Sequence, residues 1–168
     1  MTADPILRLL PFESPAYLRL APEFRRRIFE EFAATDEAGM VFTLVWVLDD
    51  SRDRRLVDDA MDTFAKHRAN TYFVELEASQ AERLKRNETP LRLEEKPLQR
   101  DVPGSRAFLL EADRQYQPNT RGAFFYPDRH LKIDKTALEP AAVAERVVKH
   151  FKLTIRERAI IQTERTRR

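Results

Sequence analysis

Residues 40–48 read MVFTLVWVL, and the interpretation of this run decides the fold. It carries no charge, no proline and no glycine, and it is rich in β-branched and aromatic side chains. An apolar run that is continuous, not alternating, predicts a strand covered on both faces, as in a parallel sheet. Two further runs have the same character, TYFVELEA at 71–78 and the shorter HLKID at 130–134. Three strands of this kind, if they share a sheet, need helices between them.

The intervening segments supply helical patterns with readable ends. In 22–34, Pro22 suits a first helical turn, and Phe24, Ile28, Phe29 and Phe32 share a face. Segment 51–69 opens near Ser51 and turns Leu56, Val57, Ala60, Met61 and Phe64 inward. Ser79-Gln-Ala-Glu82 is a capping box. Ser105 is a candidate cap for a helix carrying Phe108, Leu109, Ala112 and Tyr116, and Pro140 starts one with Val143, Ala144, Val147, Val148 and Phe151 inward. Strands alternating with helices predict an α/β layered domain around a parallel sheet. Residues 1–153 read as one domain, and 154–168 as a basic C-terminal tail.

Composition narrows the function classes. A chain of 168 residues is one ordinary domain, and 30 basic against 28 acidic residues leave a charge of +2. That balance provides no phosphate-binding stripe, so no nucleic-acid partner is expected despite a sequence pI of about 9.0. The basic excess lies in RERAIIQTERTRR (156–168), which reads as a solvated end or as a contact for RNA or anionic lipid. The absence of cysteine excludes disulfides, thiol catalysis and Cys-based zinc sites, and suits a reducing cytoplasm. The N-terminus lacks the pattern of a secretion signal, and no run reaches the roughly 18 apolar residues of a membrane helix. The expectation is a cytoplasmic protein with no membrane partner.

Candidate chemistry is sparse. His67, His130 and His150 are scattered, with no metal-ligand spacing, and no GxSxG elbow is present. The run 41–48 ends in Asp49-Asp50, which fits a strand whose acid holds Mg²⁺ and equally fits a turn where a buried strand reaches solvent. Arg25-Arg26-Arg27 is either a solvated face paired with Glu30 and Glu31 or a fork that grips an anion. Just before and at the start of RNETPLRLEEKPLQRD (86–101), Arg83 and Arg86 share a side of a helix that breaks near Pro90. Arg92, Lys96 and Arg100 follow. Such a segment could approach a polyphosphate from several directions, while its glutamates could neutralise it.

RLKRNETPLRLEEKPLQRD (83–101), FVELEAS (73–79), FRRRIFEEFA (24–33), VFTLVW (41–46) and HLKIDKTALEPAAVAERV (130–147) together resemble P-loop kinases of the shikimate-kinase and nucleoside-kinase class, AAA-type proteins among the small bacterial kinases. The resemblance runs from residue 1 to about residue 153. It implies a three-layer parallel sheet flanked by helices, and an ATP-dependent phosphotransferase with Mg²⁺ and a small hydroxyl-bearing acceptor. By the same resemblance Arg83 and Arg86 lie near the adenine or phosphates, Arg92 swings onto the transferring phosphate, and Asp134 and Thr136 border the adenine. Arg25 and Arg26 face the acceptor, and Asp49 is the first candidate for a catalytic acid. Family members begin with a strand and a GxxxxGK[ST] loop, whereas Gly39, Gly104 and Gly122 form no such pattern. The expectation is therefore a kinase-like domain lacking its N-terminal P-loop strand and helix, a fragment or a degenerate member with little activity. The alternative is a non-catalytic binding or oligomerisation module that masks an exposed sheet edge with a partner or a second copy.

Overall fold

The computed structural model describes residues 3–12, 14–96 and 100–155. In chain order the elements are α1 (Ala3–Leu7), α2 (Pro15–Ala33), α3 (Ser51–Lys66), β1 (Phe73–Glu77), α4 (Gln80–Asn87), α5 (Pro90–Glu95), α6 (Val102–Gln115), a 3₁₀ turn (Pro127–Arg129), β2 (His130–Asp134) and α7 (Pro140–Phe151). The basic tail at 156–168 lies outside the described residues. Among the described residues no helix is long and apolar enough to cross a membrane.

The three-layer parallel sheet is not present. Among the described residues 55% are helical, and the one sheet is the parallel pair β1–β2, in register from Phe73 opposite His130 to Glu77 opposite Asp134. Two of the three expected strands therefore form. The third, at 40–48, is free of helix but joins no ladder. Its burial alternates where continuous burial was expected: Phe42, Leu44 and Trp46 turn inward, while Val41 and Val45 are 86% and 80% exposed. Among the described residues its backbone hydrogen bonds gather at the C-terminal end. There the Val47 N–H donates to Asp53 Oδ2 at 2.8 Å, the Leu48 N–H to the Gln117 carbonyl at 3.4 Å, and the Val47 carbonyl accepts from the Asp50 N–H. Strand propensity is present without a strand to pair with.

Helix ends follow local chemistry more closely. Ser14 caps α2, its Oγ accepting from the Tyr17 N–H, and Pro15 takes the first helical position; Pro22 sits inside the helix instead of opening it. Asp50 caps α3, with the helix beginning at Ser51. Ser79 caps α4 as expected, and Thr89 caps α5 at the break before Pro90. Helix α6 starts a turn earlier than expected because Asp101 accepts from the Gly104 N–H, leaving Ser105 to donate to Asn87 Oδ1 across the α4–α6 contact. A Cβ on Gly104 would meet that capping carboxylate, so a larger residue here would make the Asp101 side chain shift from its capping position.

The chain packs as two halves. In one, α2 lies on α3, and Phe29 meets Phe42 edge-on at 4.9 Å and Phe64 at 5.7 Å. In the other, β1 and β2 carry Val74, Leu76, Leu131 and Ile133 on one face, with α7 against β2 and Phe151 stacked on Tyr72. Rings form the seam. Trp46 meets Phe73, Phe124 and Phe125 at 5.3 to 6.1 Å, and the Arg54 guanidinium lies 4.2 Å over Phe125. Arg54 and the Tyr126 hydroxyl both bond the Asp58 carboxylate. The Trp46 Nε1–H is buried there without an acceptor among the described residues.

The core is thin for a chain this long. Among the described residues only Tyr17, Ala21, Phe29, Val57 and Ile133 form a buried apolar core.

Candidate functional site

The carboxyl ends of β1 and β2 bring four of the expected residues together. After β1 the Ser79 N–H donates to Thr136 Oγ1 at 2.9 Å, and the Lys135 N–H donates to the Glu77 carbonyl at 2.8 Å. The Thr136 N–H donates to Asp134 Oδ1, and the Thr136 hydroxyl together with that N–H holds the carboxyl below its ordinary range. Arg86 closes the turn from α4. Its Nε bonds Glu82 at 2.7 Å, and its Nη2 reaches the Lys135 and Thr136 carbonyls at 3.0 and 3.2 Å. Glu82 thus serves Arg86 instead of completing the capping box with the Ser79 N–H. Burial pushes the Lys135 amine down, helped by the positive charges of Arg86 and Arg92. Arg86 and Lys135 therefore share one cationic turn, bordered by Glu82 and Asp134, and the Arg92 charge acts on Lys135.

Arg83 and Arg86 do not act together, although they lie three apart on α4. Arg83 grips Asp113 on α6 through two parallel bonds of 2.7 and 2.6 Å, and Gln80 donates to the same carboxylate. The Arg83 bonds lead the lowering of the Asp113 pKa. This arginine fixes α4 to α6.

The remaining expected residues lie on other elements. Arg26 pairs with Glu30 on α2, and Arg27 with Glu30 and Glu31, the solvated-face arrangement. Arg25 is half-buried over the Phe42 ring at 5.6 Å, and burial lowers its pKa. Arg26 also lines a groove of about 380 Å³ between α2 and α3, with Arg52, Arg55 and Asp59. Asp49 is exposed in the turn before α3 and lines a second groove of about 270 Å³ with Gln117, Thr120 and Arg121. Asp50 is committed to Arg52, whose side-chain and backbone donors lower its pKa to about 2.

The most elaborate polar cluster involves residues that sequence reasoning passed over. Glu75, its side chain 10% exposed, projects from the β1 face that also carries Phe73 and Glu77. Its Oε1 accepts from Asn119 Nδ2 and the Thr120 N–H at 3.0 and 2.8 Å, and its Oε2 from Thr120 Oγ1 at 2.8 Å. His130 Nε2 lies 3.0 Å away, and Lys132 bridges Glu75 and Glu77. Burial alone would raise the Glu75 pKa, but the donors and Lys132 outweigh it and bring it to about 2. Phe124 stacks on the His130 ring at 4.1 Å. A carboxylate this fully engaged anchors the 117–126 loop to the sheet; it has no basicity left for proton transfer. The signal was available, since Phe73, Glu75 and Glu77 face His130, Lys132 and Asp134 once the two runs pair in parallel.

ATP and Mg²⁺ fare differently against this geometry. The cationic group suits phosphate oxygens. For the metal, the described residues contain no group of three His, Asp or Glu placed to hold an ion, and Asp49 is the one acid lining its groove. No protein-family model, no curated protein and no solved structure matches the chain.

Proposed function

We propose that the chain binds the phosphates of a nucleotide such as ATP at the carboxyl end of β1 and β2, with Arg86, Arg92 and Lys135 as the gripping cations. The observation carrying this reading is the Arg86 guanidinium on the Lys135 and Thr136 carbonyls, which puts it beside the Lys135 amine, with the Arg92 charge felt at that amine. Ligands of parallel α/β units sit beyond the carboxyl ends of the strands, and this turn is at that end. Transfer of a phosphoryl group to a small hydroxyl-bearing acceptor is the activity such a site would serve, and a cysteine-free chain suits the cytoplasm where ATP is abundant. The chain alone is expected to bind without appreciable turnover, because Asp49 lines a different groove and Asp50 is engaged as a cap.

Calorimetric titration checks this. ATP and pyrophosphate should bind saturably and AMP much more weakly. Lys135→Met or Arg92→Ala should weaken ATP by about tenfold or more, the worth of one charge-assisted bond. Arg86 is unsuitable for this comparison because its loss would also release the turn. Equal affinity in the Lys135 and Arg92 variants, or no saturable heat with ATP, would sink the proposal.

A second reading, a binding or oligomerisation module, is favoured by a separate observation. Among the described residues the 40–48 run joins no ladder and leaves Val41 and Val45 86% and 80% exposed, an apolar segment that a partner could cover.

A further inference from the structure

We propose that the groove between Leu48–Asp49 and the 117–125 loop binds a free amino acid with an apolar side chain, Asp49 taking its ammonium, Arg121 its carboxylate and Phe125 its side chain. The groove holds about 270 Å³, just under the range that takes drug-sized ligands, which suits a molecule of amino-acid size. It shares no residue with the phosphate-binding turn at Lys135. Asp49 and Arg121 both line it, one of each sign, and among the described residues neither side chain has a hydrogen bond or an ion pair. Charged groups close by in sequence differ in this: Asp50 is held by Arg52, Asp53 takes the Val47 N–H, and Arg54 is bound to Asp58. Opposite charges that line one small groove without meeting leave a gap that a zwitterion fills, each of its charges finding a counter-ion.

The walls are set before any ligand arrives. Thr120 is tied to Glu75 through its N–H and its hydroxyl, each at 2.8 Å, and Asn119 bonds the same carboxylate, which fixes the backbone next to Arg121. The Leu48 N–H donates to the Gln117 carbonyl and so joins the residue before Asp49 to the start of the loop. Phe125 stacks on Trp46 at 5.5 Å and lies under the Arg54 guanidinium, and it remains 46% exposed, an apolar surface beside the two charges. Apolar contact with a few placed polar groups on a fixed frame is the composition of a small-molecule site. A ligand with a carboxylate alone would be repelled by Asp49, and one with an amine alone by Arg121, so the pair of charges selects a molecule that carries both.

Titration with valine, leucine, isoleucine, methionine and phenylalanine to about 10 mM, read by Trp46 emission and by calorimetry, tests the proposal. At least one should bind saturably. Its deaminated acid and its decarboxylated amine, each keeping one charge, should bind about tenfold more weakly or worse. Asp49→Asn and Arg121→Gln should each weaken the amino acid by about tenfold. In Asp49→Asn the deaminated acid should come within about twofold of the amino acid, and in Arg121→Gln the amine should do so. Both positions are exposed, so the circular dichroism of the variants should match wild type. No saturable binding by any of the five overturns the proposal. So does a singly charged analogue that matches its amino acid on the wild-type chain, or an amino acid that binds both variants at wild-type strength.

Discussion

Replacing Glu75 by alanine is expected to destabilise the protein by about 3–5 kcal/mol, the range for removing one member of a buried, hydrogen-bonded charge group. The loss is large because the partners remain. The Thr120 N–H, the Asn119 amide and the Lys132 ammonium would each lose an acceptor on a sheet face shielded by Phe124. The same residue governs acid behaviour. Its carboxyl titrates near 2 when folded, against 4.5 ordinarily, so the folded form binds its proton less readily than the unfolded chain. The resulting stability, about 3 kcal/mol, is fully present above about pH 4.5 and is lost as pH falls towards about 2. Urea unfolding at about pH 7, 4 and 3 checks both statements. Wild type should weaken across that series, and Glu75→Ala should start lower and decline less. Parallel acid limbs in the two proteins would show that Glu75 is not the group responsible.

Phe29→Ala should be nearly as costly, at about 3–5 kcal/mol. Phe29 is only 4% exposed, and it is where α2, α3 and the 40–48 segment meet, through Phe64 and Phe42. With so few other buried side chains to close over the cavity, little relaxation is available, which places the cost in the upper part of the range for such truncations. Phe29→Leu keeps most of the volume and should cost about 1–2 kcal/mol. Chemical denaturation measures both differences. Hydrogen exchange should show α3 amides opening first in the alanine variant, while β1 and β2 keep their protection.

What the sequence made legible was local. Ser79 announces a helix start by offering an oxygen to an N–H three residues on, and that interaction needs no knowledge of the rest of the chain; Thr89 caps α5 in the same way at a place the sequence reading marked only as a break. The start of α6 was misplaced because Asp101 and Ser105 are both good caps, and the contact of Ser105 with Asn87 that removes it from competition comes from another helix. Helix α2 starts before Pro22 because Ser14 offers its oxygen to the Tyr17 N–H and Pro15 takes the first helical position. Strands 73–77 and 130–134 formed because each finds the other; the run at 40–48 has equal or greater β propensity and no partner, and propensity carries no information about partners. The turn joining Arg86 to Asp134 and Thr136 was reached through resemblance, and their proximity is a structural fact whatever the family. Arg83 illustrates the limit of helical spacing, since Asp113 on a separate helix decides where it points.

The ring seam at Trp46 has a consequence for cooperativity. Stacked rings, one guanidinium over a ring and one shared carboxylate join the helical half to the strand half, with no backbone ladder crossing between α3 and β1. Coupling of this kind is weaker than the packing inside either half, so the joint opens before the halves melt and the chain behaves as two thermodynamic units. Trp46, the chain's one tryptophan, sits in that joint. Its emission will therefore shift at a lower temperature than the far-ultraviolet ellipticity falls, and the calorimetric enthalpy will exceed the van't Hoff value obtained from either signal.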